Sequence, residues 1–128
     1  MQLAPRTTAL KTILDAMPGA VGQAMTASTG KIPLVLIYKV MGKTFAILSV
    51  REEEFVILKC DPHLAETLRA QYGGIGHRSH LDPRVWISVG LDADVPPQEV
   101  ERLAGHAYDL VRDSLTRRQR AELAALSG

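Results

Sequence analysis

Leu10, Ile13, Leu14 and Met17 recur at the three- and four-residue spacing of one helix face, and Pro18-Gly19 ends the pattern. Thr7 or Thr8, just upstream, can cap the first amides. From Ala20 to Lys31 the residues are small or polar, with no apolar period, and this stretch reads as a mobile connection. Two aliphatic and β-branched runs, residues 34–40 and 44–50, flank Met41-Gly42 in the manner of a hairpin. Residues 55–60 form a third strand, apolar at alternate positions on both faces apart from Lys59, which predicts a central strand covered on each side. Asp61-Pro62 marks a helix start, and Leu64, Ala65, Leu68 and Tyr72 form its inner stripe with Glu66 and Arg69 outside. Gly73 suits the left-handed residue that often closes a helix. Residues 75–82 are irregular or weakly extended, and residues 85–89 are a strand. Asp92 and Asp94 precede Pro96-Pro97, where acids favour a helix start. The longest helix follows on Val100, Leu103, Ala104, Ala107, Val111 and Leu115. Thr116 and Gln119 match a capping box that opens a short last helix through Leu126.

This order, α-β-β-β-α-β(β)-α, predicts an α+β fold, a two-layer sandwich with an antiparallel sheet packed by helices. At 128 residues the chain is the size of one domain, residues 1–128. Residues 1–33 supply the first helix and connection, and residues 116–128 the terminal helix.

Composition narrows the function classes. Lys and Arg total 15 against 14 Asp and Glu, so any nucleic-acid contact must come from a local patch rather than from net charge. The one cysteine excludes an intramolecular disulfide and a multi-cysteine zinc site, which suits a reducing compartment. No apolar run approaches the length that spans a bilayer, and the first residues lack a signal core, so a cytoplasmic protein without membrane contact is the expectation. There is no phosphate loop, nucleotide fingerprint or Ser-His-Asp set. Neither a cofactor nor an enzymatic activity is expected.

The hairpin has two readings. A two-residue primed turn at Met41-Gly42 sets Tyr38 opposite Phe45. A type I turn with a bulge sets Lys39 opposite Lys43, a like-charge pair that an anion would relieve. Lys39, Lys43, Arg78, Arg84, Arg117, Arg118 and Arg120 are the candidate phosphate contacts. His80 and Trp86 can offer an imidazole donor and a stacking indole, or else a loop hydrogen bond and a core side chain. His77 and His80 make a His-x-x-His pair with no convincing third metal ligand. Cys60 sits beside a helix N-terminus without a recognisable base, so a small buried side chain is its simpler role. Tyr108 packs on the sheet with its hydroxyl on a polar partner, and Glu52-Glu53-Glu54 reads as a solvated turn.

Lys39-Val40-Met41-Gly42-Lys43-Thr44-Phe45-Ala46, Leu58-Lys59-Cys60-Asp61-Pro62, His80 with Trp86 six residues on, Leu91-Asp92, Asp94-Val95-Pro96 and Ala107-Tyr108 resemble, in order and spacing, the MmcQ/YjbR family. Met17-Pro18-Gly19-Ala20 is a fainter echo upstream. The resemblance implies a sandwich similar to secretion chaperones and frataxin-like proteins, and DNA binding through a double-wing arrangement. His80-Leu81-Asp82-Pro83 stands where the family typically reads His-Leu-Asn-Lys, which lowers the local positive charge. Two functions follow as expectations. One is a small non-enzymatic DNA-binding protein using the hairpin tip and the His80 loop. The other is a chaperone-like module that takes a small molecule or peptide in a pocket between that loop, Trp86 and Tyr108.

Overall fold

A computed structural model describes residues 5–26, 33–50, 54–77, 81–91 and 94–127. The elements run α1 (Pro5–Ala16), β1 (Ala20–Thr26), β2 (Pro33–Val40), β3 (Lys43–Ser49), β4 (Phe55–Lys59), α2 (Pro62–Gln71), β5 (Ile75–Gly76), β6 (Trp86–Gly90), α3 (Pro97–Asp113) and α4 (Arg117–Ser127). All strand pairs are antiparallel, in the order β1-β2-β3-β4-β6-β5. The predicted sandwich is therefore present, with β4 internal as expected.

All four helices pack on one side of the sheet. Tyr38, Val40, Ala46, Leu48, Val56, Leu58, Ile87 and Val89 face them, and Leu10 and Leu14 of α1, Leu68 of α2, Leu103 and Val111 of α3 and Leu123 of α4 complete the same core. The Tyr38 hydroxyl donates to Asp15 and ties α1 to β2. Partial burial pushes the Asp15 carboxyl up, but hydrogen bonds from Lys11 and Tyr38 outweigh it and leave it below its usual value. Burial, and then Asp15, push the Tyr38 phenol well above its usual value. The Tyr108 hydroxyl finds the carbonyl of Pro18, as its place on the long helix suggests.

Both hairpin readings are partly corrected. Met41 (φ 50°) and Gly42 (φ 81°) both have positive φ, the mark of a two-residue primed turn. Val40 pairs with Lys43 and Lys39 with Thr44, but Tyr38 pairs with Ala46. Phe45 is the extra residue of a bulge, so it and Ala46 both enter the core although they are consecutive. Phe45 thus meets Tyr38 at a tilt, ring centroids 6.3 Å apart, and Tyr108 edge-on at 5.5 Å. No Lys39–Lys43 pair forms.

Four further expectations change. The stretch read as a mobile connection contains β1, in register from Ala20↔Val40 to Met25↔Val35. Its small residues are what that place requires: a Cβ on Gly22 would stand 2.9 Å from the Tyr38 ring. Helix α1 begins at Pro5, so Thr7 and Thr8 lie inside it rather than capping it. Gly73 is not left-handed; positive φ among the described glycines occurs at Gly19 and Gly42. Among the described residues, helices cover β4 on one side only.

Local signals hold elsewhere. The Asp61 carboxylate accepts from the amides of His63 (3.1 Å) and Leu64 (3.2 Å), with Pro62 in the first turn. Thr116 and Gln119 exchange both capping-box hydrogen bonds, at 3.0 and 3.1 Å. Phe45→Ala, which empties the junction of three rings, is expected to lower stability by about 3–5 kcal/mol. Thr116→Ala removes one cap of a peripheral helix and should lower it by about 1 kcal/mol. Urea denaturation midpoints at constant slope measure both.

Candidate functional site

The sheet face turned away from the helices is built by strand parity. Opposite the core positions lie Val21, Gln23 and Met25 on β1, Val35, Ile37 and Lys39 on β2, Thr44, Ile47 and Ser49 on β3, Phe55, Ile57 and Lys59 on β4, and Trp86 and Ser88 on β6. Among the described residues no helix packs here. Ile37, Ile47 and Ile57 are cross-strand neighbours in one row, Val35, Ser49 and Phe55 in the next. Ile57 is 7% and Trp86 8% exposed, whereas Val35, Ile37, Ile47 and Phe55 are half-buried.

Among the described residues, charge enters this face at one end. Lys39 pairs with Thr44, and Lys59 pairs with Trp86 two strands away, on the order of 10 Å across the sheet. The Lys59 ammonium lies 5.0 Å from the Trp86 ring centroid, so the cation sits on the indole face and the indole is not bare for stacking. Arg69, read from the sequence as an outward residue of α2, instead donates to the carbonyls of Pro83 (2.6 Å) and Trp86 (2.8 Å). It supplies a partner to the β6 backbone beyond the two residues of β5.

The candidate residues separate. Lys39 and Trp86 belong to the open face. Lys43, paired with the buried Val40, points to the helix side, where its ammonium donates to the Ser114 carbonyl (3.3 Å) at the end of α3. Arg117 and Arg118 start α4, on that same side, and Arg118 pairs with Glu122 at 3.4 Å. Arg84 forks onto Asp82 (2.8 Å), and its hydrogen bonds hold that carboxyl down to about 2. Arg78 and His80 lie outside the described residues, as do Glu52, Glu53 and Asp92. The pocket expected between Trp86 and Tyr108 is not formed by these two residues, because the sheet stands between them. Tyr108 lines a cleft of about 320 Å³ between α3 and α4, with Pro18, Arg112 and Arg120 among its neighbours.

Lys59 was visible in the sequence as the one charge in an apolar strand, but nothing there linked it to Lys39. Cys60 is buried, and burial, then the Asp61 charge, push its thiol up to about 11, which keeps it protonated and a poor nucleophile. The described residues contain no cluster of three or more metal-binding side chains and no helix long and apolar enough to cross a membrane.

A family model named YjbR matches residues 16–110, which include all six strands, α2 and most of α3. The chain belongs to the YjbR family. It is 32% identical over 89 residues to the uncharacterised protein YjbR of Escherichia coli K12, covering 69% of this chain and 75% of that one. The crystal structure of Deinococcus radiodurans DR2400, of domain family DUF419, superposes with TM-score 0.80 at 25% identity, over 91% of this chain and 86% of that one. A Pseudomonas syringae protein has the same fold at TM-score 0.61 and 19% identity, over 78% of this chain and 96% of its own. The YjbR match takes in Lys39, Lys59 and Trp86, while Arg117 and Arg118 fall beyond it.

Within the YjbR-matched segment, Asp94 closes the α2–β5 turn by accepting from the amides of Gly73 (2.9 Å) and Gly74 (2.8 Å). The Gly74 bond, with that of Gly73, holds its carboxyl below the usual 3.8 against a burial penalty. A carboxyl lowered in the folded state stabilises it above the unfolded value, and that stabilisation is lost as the pH falls through the folded one. Asp94→Ala should therefore melt below wild type at pH 7, and the gap should close progressively as the pH falls below 3.8, in thermal melts followed by circular dichroism.

Proposed function

We propose that this YjbR-family protein is a non-enzymatic binding module that holds a segment of another protein on the open face of its sheet. The segment would carry apolar side chains for the Ile37–Ile47–Ile57 row and a carboxylate for Lys39 and Lys59. The observation behind this reading is the combination on one face: the half-buried Val35, Ile37, Ile47 and Phe55 beside Ile57, which favour an apolar contact, bounded by two cations two strands apart.

Contact with duplex DNA is the second reading, favoured by the same two lysines and by the family resemblance. The division of the basic residues between the two sides of the sheet weighs against one composite patch, and Arg84 is already engaged by Asp82. A contact limited to Lys39 and Lys59 would show a shallow salt dependence, a log–log slope of about −2.

The single tryptophan lies in this face and serves as the reporter. Titration with a short peptide alternating leucine and glutamate should change its emission. Lys39→Glu with Lys59→Glu should weaken that binding about tenfold, and Arg117→Ala with Arg118→Ala should leave it unchanged. No peptide response, together with steeply salt-dependent binding of labelled duplex DNA that Lys39→Ala with Lys43→Ala abolishes, would reject this reading in favour of DNA.

A further inference from the structure

Strand β1 is the outer strand of the sheet, paired on one side with β2. Among the described residues nothing pairs with its other side, which presents the remaining half of its backbone N–H and C=O groups. Residues 21–25 are all exposed, Gly22 and Ala24 on the helix side included, although α1 meets the strand near Ala20. Natural edge strands are usually defended by lysine, proline, a bulge or brevity. Ala20-Val21-Gly22-Gln23-Ala24-Met25-Thr26 contains no charge and no proline, and it runs in regular register with β2 up to Met25. On its outward face stand Val21, 65% exposed, and Met25, 46% exposed, two of the three exposed large hydrophobics among the described residues.

What this edge suits is decided by its symmetry and its neutrality. Antiparallel pairing of β1 with itself about Gln23 sets Val21 opposite the partner's Met25, Gly22 opposite the partner's Ala24, and Gln23 opposite the partner's Gln23. Each exposed apolar side chain then meets an apolar one, each small residue a small one, and the two amides can hydrogen-bond at the axis. A charged strand would find no counter-charge here, whereas two neutral copies meet no repulsion. A two-fold contact of this kind uses the same surface on both subunits and closes on itself.

We propose that two copies of this chain pair antiparallel through β1, with the two-fold axis beside Gln23, so that their six-stranded sheets continue as one. About six backbone hydrogen bonds and the two Val21–Met25 contacts form the centre of the interface. Its area is modest, which corresponds to a concentration-dependent dimer rather than a permanent one.

Sedimentation equilibrium of the full chain from low micromolar to several hundred micromolar is the test, with two single variants of an exposed residue. Gln23→Lys and Gln23→Glu each place like charges on the axis and should each weaken dimerisation about fivefold. An equimolar mixture of the two should restore it, with the mixed dimer prevailing in native mass spectra. Circular dichroism checks that both variants keep the fold. A wild type that stays monomeric at every concentration, or variants that dimerise as well alone as when mixed, would overturn the proposal. So would a monomer whose β1 accepts an extended peptide instead. Lys39 and Lys59 are unchanged in both variants, so failure of the dimer does not touch the open-face reading.

Discussion

One residue too many in β3 organises the molecule. Strand parity normally sends neighbouring side chains to opposite faces, but the bulge at Phe45 lets Phe45 and Ala46 both enter the core. The bulge brings the Phe45 ring between Tyr38 and Tyr108, which joins the hairpin to the longest helix. It also resets the count along the strand. Without it Thr44, Ile47 and Ser49 could not share a face, and the apolar rows of the open face would not align with Ile37 and Ile57.

The hairpin tip follows from the two-residue turn, which pairs Val40 with Lys43. Lys39 and Lys43 lie close in sequence, yet one belongs to the open face and the other reaches a carbonyl at the end of α3. A cation near a helix C-terminus meets the negative end of the backbone dipole, so Lys43 has a structural use that no anion need explain. Among the described residues, Lys39 and Lys59 are the two cations on the open face. Lys59 is itself partly steadied by the Trp86 ring beneath it.

Elements whose cause is local were legible in the sequence. The stripe of α3, the Asp61-Pro62 start of α2 and the Thr116–Gln119 box each depend on residues within a turn or two of one another, so their spacing carried the information. Those whose cause is distant were not. β1 has no apolar alternation because Gly22 must leave room for the ring of Tyr38, sixteen places on, and a strand selected for smallness looks like a linker. Arg69 looked like a solvent residue because the carbonyls that it serves belong to residues fourteen and seventeen positions later. Gly73 was read for its conformational freedom, but its amide is bound by the Asp94 carboxylate. The faces of Ile47 and Ser49 could not be counted from the turn, because the bulge at Phe45 changes parity beyond Thr44.

Arg69 has a wider consequence. The sheet has two ends, and they are unlike: among the described residues nothing pairs with the outer side of β1, while at the β5 end an arginine from α2 occupies carbonyls past the point where β5 stops. A slab with two bare ends could add copies indefinitely, as cross-β ribbons do. Arg69 takes two carbonyls at the β5 end, which leaves fewer free groups there for an added strand. The guanidinium therefore makes strand addition less favourable at the β5 end than at the β1 end.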